Sequence, residues 1–393
     1  MNPPPQYHKR LPLDQAPLRS LRELEFLLGV ERGVLRGLAK NSRENYAPFQ
    51  QAKKPKPHTR ITKPAKLRDI DNPCNELKQV QTKILNRLLL PVTLPHFLFG
   101  GVRKRSVREH AQEHLGATTI VKMDIKSYYP NVTSKHIYHV WKDVLLCSPR
   151  IAGLLTQLTT CDWHLPQGAP TSTALANLLL ASIYGPVLDA CAQRNIVVTT
   201  WVDDLVFSGD DARSVMELVR QTLADNGFKL SAKKRVILNP RSAKVVTGVR
   251  LGKTQLRACH LKLREIRAGI HNLELGLVTA RGRAEDVESL RGQIVYIKSI
   301  CPADAAPLDE KLKRVTGDGR TPRAKAEVAR AKASPHRLQH RLHTFTSVPT
   351  YLMPTCRNRT MGECWRFGLP WAVPSAHSSL GRPGAGYLSW RGC

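Results

Sequence analysis

Acidic residues are scarce in this chain: 31 Asp and Glu stand against 61 Lys and Arg in 393 residues, a formal charge of +30. Such a surplus speaks against a cationic partner and for a polyanion, with nucleic acid ahead of a membrane surface. Long apolar runs are also missing. No stretch of about 18 apolar residues could span a bilayer, and no apolar segment follows a basic start as in a secretory leader. A cytoplasmic protein without a membrane partner is expected. Paired cysteines are missing too: the nine are scattered, with no CxxC among them, so neither a disulfide framework nor a zinc ribbon is indicated. HRLQHRLH, residues 336–343, has Cys356 and Cys364 downstream, but the spacing fits no common zinc pattern and reads as a basic helix. There is no internal repeat.

The length allows two or three structural units. Ser20 and Glu23 resemble a capping box ahead of two short helices broken near Gly29. Residues 51–67 carry many cations, no acid and three prolines, the composition of a basic ribbon or loop. Helical periodicity over 75–90 stops at Pro91. ATTIVKMDI, residues 117–125, alternates as a strand, with Val121, Met123 and Ile125 on one side and Lys122 and Asp124 on the other. Helical patterns run over 134–158 and, as one helix, from about Thr173 to Cys191. IVVTTWVDDLVFSG predicts two short strands joined through Asp203 and Asp204. A helix over 211–226, a basic turn, a strand pair near VVTGVRL and helices over 259–315 follow. The tail beyond 316, with twelve Lys or Arg against three acids, suits a loosely ordered arm. The expected organisation is α+β: a helical segment at 1–50, a central domain at 51–258, a helical unit at 259–315 and a basic extension at 316–393.

Two adjacent carboxylates flanked by Trp201, Val202, Leu205 and Val206 repel each other and lose solvent, which costs free energy unless a cation compensates. Oxygen-only ligands select a hard ion such as Mg²⁺. Asp124 ends another strand in a matching setting. Three such carboxylates in a strongly basic protein suggest two-metal phosphoryl transfer; the plainer alternative is a solvated turn, which Asp favours for local reasons. LPQGAPTSTALANL, residues 165–178, places Gly168 where a backbone must come close to something flat and Gln167 where its amide can reach out. Its alternative is a helix start capped by Thr171 or Ser172.

In order, VKMDIKSYYPNV, LPQGAPTSTALANL and WVDDLVFSG resemble the palm of reverse transcriptases. RDIDNPCNELKQVQTKI, residues 68–84, resembles the first block of that family. GGVRKRSVREHAQEHLG, residues 100–116, is similar to the insertion marking bacterial retron enzymes, usually Asn-Ala-x-x-His; here His110, Ala111 and His114 hold those places. Val246, Thr247 and Gly248 match the triplet with which those enzymes recognise their structured RNA. The resemblance covers roughly residues 15–315.

It implies a right-hand fold: fingers, a palm with a small antiparallel sheet backed by helices, and a helical thumb. It implies Asp124, Asp203 and Asp204 as metal ligands, with the Ile125 carbonyl assisting. Arg68 would contact the incoming triphosphate. Tyr129 would be the gate against a ribose 2′ hydroxyl, and Gln167 and Gly168 would touch the nucleotide and templating pair. Lys234 would protonate pyrophosphate, with Lys233 a near rival. His110 and His114 would touch RNA or pack structurally, and Val246, Thr247 and Gly248 would read RNA. The implied partners are deoxynucleoside triphosphates, a cognate structured noncoding RNA, its DNA product and an effector protein in defence against phage. Trp201 stands where the family usually has Tyr or Phe. A polymerase-derived RNA scaffold without synthesis, a group II intron-like enzyme and a diversity-generating enzyme are the alternatives.

Overall fold

The computed structural model describes residues 18–40, 42–52, 67–279 and 282–317. The basic stretch at 53–66, the tail beyond 317 and the His-rich segment at 336–343 lie outside the described residues. Ser20 and Glu23 form the expected capping box, the hydroxyl accepting from Glu23 N at 3.2 Å, and open α1 (Leu21–Leu28). Gly29 ends it with φ +57, the left-handed conformation that suits a residue without Cβ, and α2 (Val34–Lys40) follows.

β1 (Tyr46–Ala52) and β2 (Leu67–Pro73) pair antiparallel, with Ala52 opposite Leu67. β1 straddles the boundary expected at residue 50. Both strands are exposed along most of their length, so no apolar alternation marks them in the sequence. α3 (Asn75–Ile84) continues through a π turn, Leu85–Leu89, to the edge of Pro91. α4 (Val107–Gln112) starts on a second capping box, Ser106 with Glu109.

β3 (Ile120–Asp124) leads into α5 (Tyr128–Asn131), α6 (Ser134–His139), a π turn at Val140–Val144 and α7 (Pro149–Thr159). The single helix expected from Thr173 to Cys191 is two: α8 (Ser172–Ile183) and α9 (Gly185–Gln193), bent by 61°. Pro186 explains the break, since its ring cannot continue the preceding turn; the unbroken apolar pattern conceals it. α8 is buried almost throughout. Among the described residues no single helix is long and apolar enough to cross a membrane.

β4 (Val197–Trp201), β5 (Asp204–Ser208), α10 (Met216–Asp225), a 3₁₀ turn at Ala232–Lys234 and β6 (Val236–Leu238) complete a four-stranded antiparallel sheet ordered β4-β5-β3-β6. One face, Val121, Met123, Leu205 and Phe207, shares a core with Leu175, Leu178 and Leu179 of α8. Each large apolar side chain withdrawn there contributes about 1.5–3 kcal/mol. The opposite face, Ile120 and Val206, is covered by Ala111 of α4 and by β7 (Val245–Val246), β8 (Val249–Leu251) and β9 (Leu256–Ala258). β9 adds a third strand to the expected pair. The helices α11 (His260–Glu274), α12 (Arg283–Ile300) and α13 (Pro302–Thr316) close around Ile266, Ile270, Leu290, Ile294 and Leu308. The architecture is α+β.

Candidate active site

Trp201 and Asp204 face each other across β4 and β5, leaving Val202 and Asp203 as a two-residue turn. Asp203 therefore occupies the turn itself, while Asp204 starts the returning strand. Val202 has φ +59, a conformation that costs a β-branched residue about 1–2 kcal/mol. Its neighbours hold it there. Phe99 N donates to Thr200 O at 2.9 Å, and Asn177 Nδ2 of α8 donates to Gly100 O at 2.9 Å. Gly100 lies so close that a Cβ would stand 2.6 Å from Val202 N.

Asp124 is directly opposite Asp204 in the β3–β5 ladder, which puts their Cα atoms about 5 Å apart. Ile125 N donates to Asp203 O at 3.0 Å, and Ser231 N donates to Asp124 O at 2.8 Å. The three carboxylates thus come together through backbone pairing rather than side-chain chance. Burial raises the Asp203 carboxyl above its ordinary value, and the Asp124 charge adds to it. The protein packed around the Asp204 carboxyl, with the charges of Asp203 and Asp124, pushes it up to about 6, although the residue keeps exposed surface. Lys234 forms a salt bridge to Asp124 Oδ1. Burial opposes its charge, but the bond to Asp124 and the field of all three aspartates push the ammonium above its usual value.

No group of three His, Cys, Asp or Glu side chains among the described residues is arranged as a ready cation cage. The residues nevertheless suit a hard divalent ion. Mg²⁺ is commonly held by one or two carboxylates plus water and substrate phosphates, not by an all-protein shell, and crowded carboxylates of raised pKa are the groups a cation relieves.

Asp124 and Asp203 line a cleft of about 690 Å³ together with Arg68, Tyr129, Gln167, Gly168 and Lys234, among others. The phenol of Tyr129 lies 3.0 Å from Thr173 Oγ1, and burial raises its pKa, so the ring is fixed and neutral. Gly168 has φ +118, and a Cβ there would press Ile70 Cγ2 at 3.0 Å. The helix-capping alternative for this segment is not realised: Thr171 makes no cap bond, and the buried Thr171 and Ser172 hydroxyls have no hydrogen-bond partner. Lys233 sits in the same 3₁₀ turn as Lys234, but Lys234 is the one that reaches Asp124.

His110 and His114 meet the same hydroxyl from two directions. Thr199 Oγ1 is 2.7 Å from His110 Nε2 and 2.6 Å from His114 Nε2; His110 Nδ1 reaches Thr247 Oγ1 at 2.6 Å, and His114 Nδ1 reaches Ser208 Oγ at 2.7 Å. A neutral imidazole donates once and accepts once, so this alternating chain satisfies every member. Burial holds His110 down to about 4, helped by Lys122, and His114 down to about 3, helped by His110. Both histidines and Val246 are fully buried, so their side chains pack inside the protein, one of the two roles expected of the histidines. Thr247 and Gly248 form the β7–β8 turn with φ +46 and +81, and Gly248 is exposed. They remain able to present a surface.

Several positioning residues escaped the sequence. Asp71 donates its N–H to Gln167 O at 2.8 Å, while its carboxylate accepts from Gln167 N at 3.3 Å and lies 3.1 Å from His164 Nε2. Asn177, Gly100 and Thr173 hold the turn and the Tyr129 ring. Only the Gly-Gly pair at 100–101, in the segment ahead of α4, could have signalled a close approach.

Residues 53–256, just over half of the chain, match the family model described as reverse transcriptase (RNA-dependent DNA polymerase). The chain is similar to the retron Ec86 reverse transcriptase of Escherichia coli, 28% identical over 238 residues, covering 60% of this chain and 72% of that protein. The retron Se72 reverse transcriptase of Salmonella heidelberg is 28% identical over 194 residues, 49% of each chain. The retron Mx65 reverse transcriptase of Myxococcus xanthus is 26% identical over 322 residues, 75% of this chain and 71% of that one.

Proposed function

Because this chain belongs to the reverse transcriptase (RNA-dependent DNA polymerase) family and is an RNA-directed DNA polymerase of the retron type, we propose that it copies part of a cognate structured noncoding RNA into single-stranded DNA, priming from an internal guanosine 2′ hydroxyl to give a branched RNA-DNA molecule. The observation carrying this reading is the pairing of Asp124 with Asp204 beside the Asp203 turn, at the mouth of a cleft built from Arg68, Tyr129, Gln167 and Gly168.

Asp124, Asp203 and Asp204, with the Ile125 carbonyl, would hold Mg²⁺, which supplies activation of the attacking hydroxyl and charge neutralisation at the phosphates. Arg68 places a cation on the triphosphate. Tyr129, locked by Thr173, takes the space of a 2′ hydroxyl and selects deoxynucleotides. Gln167 and Gly168 present amide and backbone to the base pair being formed. Lys234, already within reach of Asp124, gives a proton to the departing pyrophosphate. Thr247 and Gly248 offer the exposed turn that would read the RNA fold. The wider role is defence against phage with an effector protein, carried out in the cytoplasm.

The test is synthesis. The full chain, incubated with its RNA, Mg²⁺ and deoxynucleotides, should yield DNA joined to RNA. A lack of product under conditions in which a control reverse transcriptase succeeds overturns the proposal.

A further inference from the structure

Trp163 occupies a place where a tryptophan is unfavourable twice over. It is 83% exposed, so its ring gains little from burial, and its φ is +66, the left-handed conformation that glycine adopts freely and bulky residues resist. The turn explains the backbone. Cys161 and His164 exchange both backbone hydrogen bonds at 2.9 Å, and Asp162 and Trp163 between them both have positive φ, as a type I′ hairpin turn requires. The second central position of such a turn is ordinarily glycine. A chain that keeps tryptophan there retains the ring at a conformational cost, and such outliers cluster where function needs them.

The turn is rigidly joined to the cleft. Trp163 O accepts from Ser134 N at 2.8 Å, and Leu165 N donates to Val132 O at 2.8 Å. His164 is bound to Asp71, the residue that also clamps Gln167 on both its backbone atoms. Trp163 and Gln167 therefore move as one body, separated by at most about 14 Å of extended chain, or about four steps of a stacked strand. At the same turn, Arg43 Nε pairs with Asp162 Oδ1 at 3.2 Å and remains largely exposed, so a phosphate could reach the guanidinium.

We propose that Trp163 is a stacking platform for an unpaired nucleobase of the template strand, a few positions ahead of the one being copied. This rests on the polymerase reading of the cleft, and it adds a template contact outside it. An aromatic face accepts every base, so the contact would grip template without favouring a sequence. Charge alone could hold phosphates, but it does not require a strained indole.

Binding is measured separately from synthesis. Full-length protein is titrated with labelled primer–template duplexes that are blunt, carry four unpaired template nucleotides, or carry four abasic units. Wild type should bind the unpaired-base duplex about tenfold more tightly than the abasic one. Trp163→Gly, which relaxes the turn and so preserves folding, should erase that preference while binding blunt duplex as wild type does; Trp163→Phe should keep most of it. Discrimination in binding supports the proposal whether or not DNA is made. If Trp163→Gly retains the full preference, the proposal is wrong. It is equally wrong if the variant loses only its effect in cells, which would assign the ring to a protein partner.

Discussion

His110 and Thr247, 137 positions apart, share a 2.6 Å hydrogen bond, so α4 and the β7–β8 turn form one joint. The other nitrogen of His110 bonds Thr199, two residues before Trp201, and the His110 and Trp201 rings lie 5.7 Å apart. The joint thus ends beside the turn that carries Asp203.

Removing His110 should be costly. His110→Ala leaves Thr247 and Thr199 short of partners and opens a hole, which should lower stability by about 2–4 kcal/mol, read by chemical denaturation. His110→Asn, the side chain usual among retron enzymes, should recover part of that loss by bonding one of the two hydroxyls.

His110 and His114 together make the fold acid-sensitive. Both imidazoles have folded pKa values depressed from 6.5, to about 4 and about 3, so their neutral forms contribute stability that is complete above the unfolded value and lost as pH falls toward the folded ones. Each should cost about 1.4 kcal/mol per pH unit below 6.5. Melts at pH 7.5 and 5.0 should show a steep decline in wild type and a shallower one in His114→Gln.

Asp203→Asn and Asp204→Asn should each slow nucleotide incorporation by about a thousandfold or more, roughly 4 kcal/mol of barrier, with RNA affinity retained. Mg²⁺ should raise the melting temperature of wild type by a few degrees through preferential binding to the folded state, and either variant should lose that increment.

Tyr129→Ala should open the space that the locked phenol fills. Preference for deoxynucleotides over ribonucleotides, measured as a ratio of kcat/KM, should fall about tenfold or more.

Gly100→Ala should damage synthesis from outside the cleft. The added methyl would stand 2.6 Å from Val202 N, which should cost about 1–3 kcal/mol of stability and, by moving Asp203, about a hundredfold in rate.

Much of this was legible in the sequence. Strand alternation separated Asp124 from Val121 and Met123, and the apolar segments on both sides of Asp203 and Asp204 required a tight turn between strands. Local chemistry also announced the Ser20–Glu23 cap. What stayed hidden depended on distant pairing. The partners of His110 and His114 are more than eighty residues away, so their spacing alone left RNA contact and packing equally open. Asp71 reads as one polar residue among several until β2 lies against Gln167. β1 and β2 lack a buried face, and apolar periodicity carries no mark of the bend at Tyr184.

The Val202 turn also limits how far this polymerase could be reduced. A hairpin cut out with only β4 and β5 would relax the left-handed valine and swing Asp203 out of line, because the restraint comes from Gly100 and from Asn177 on α8. Any miniature built for DNA writing must carry those two distant residues along with the three acids.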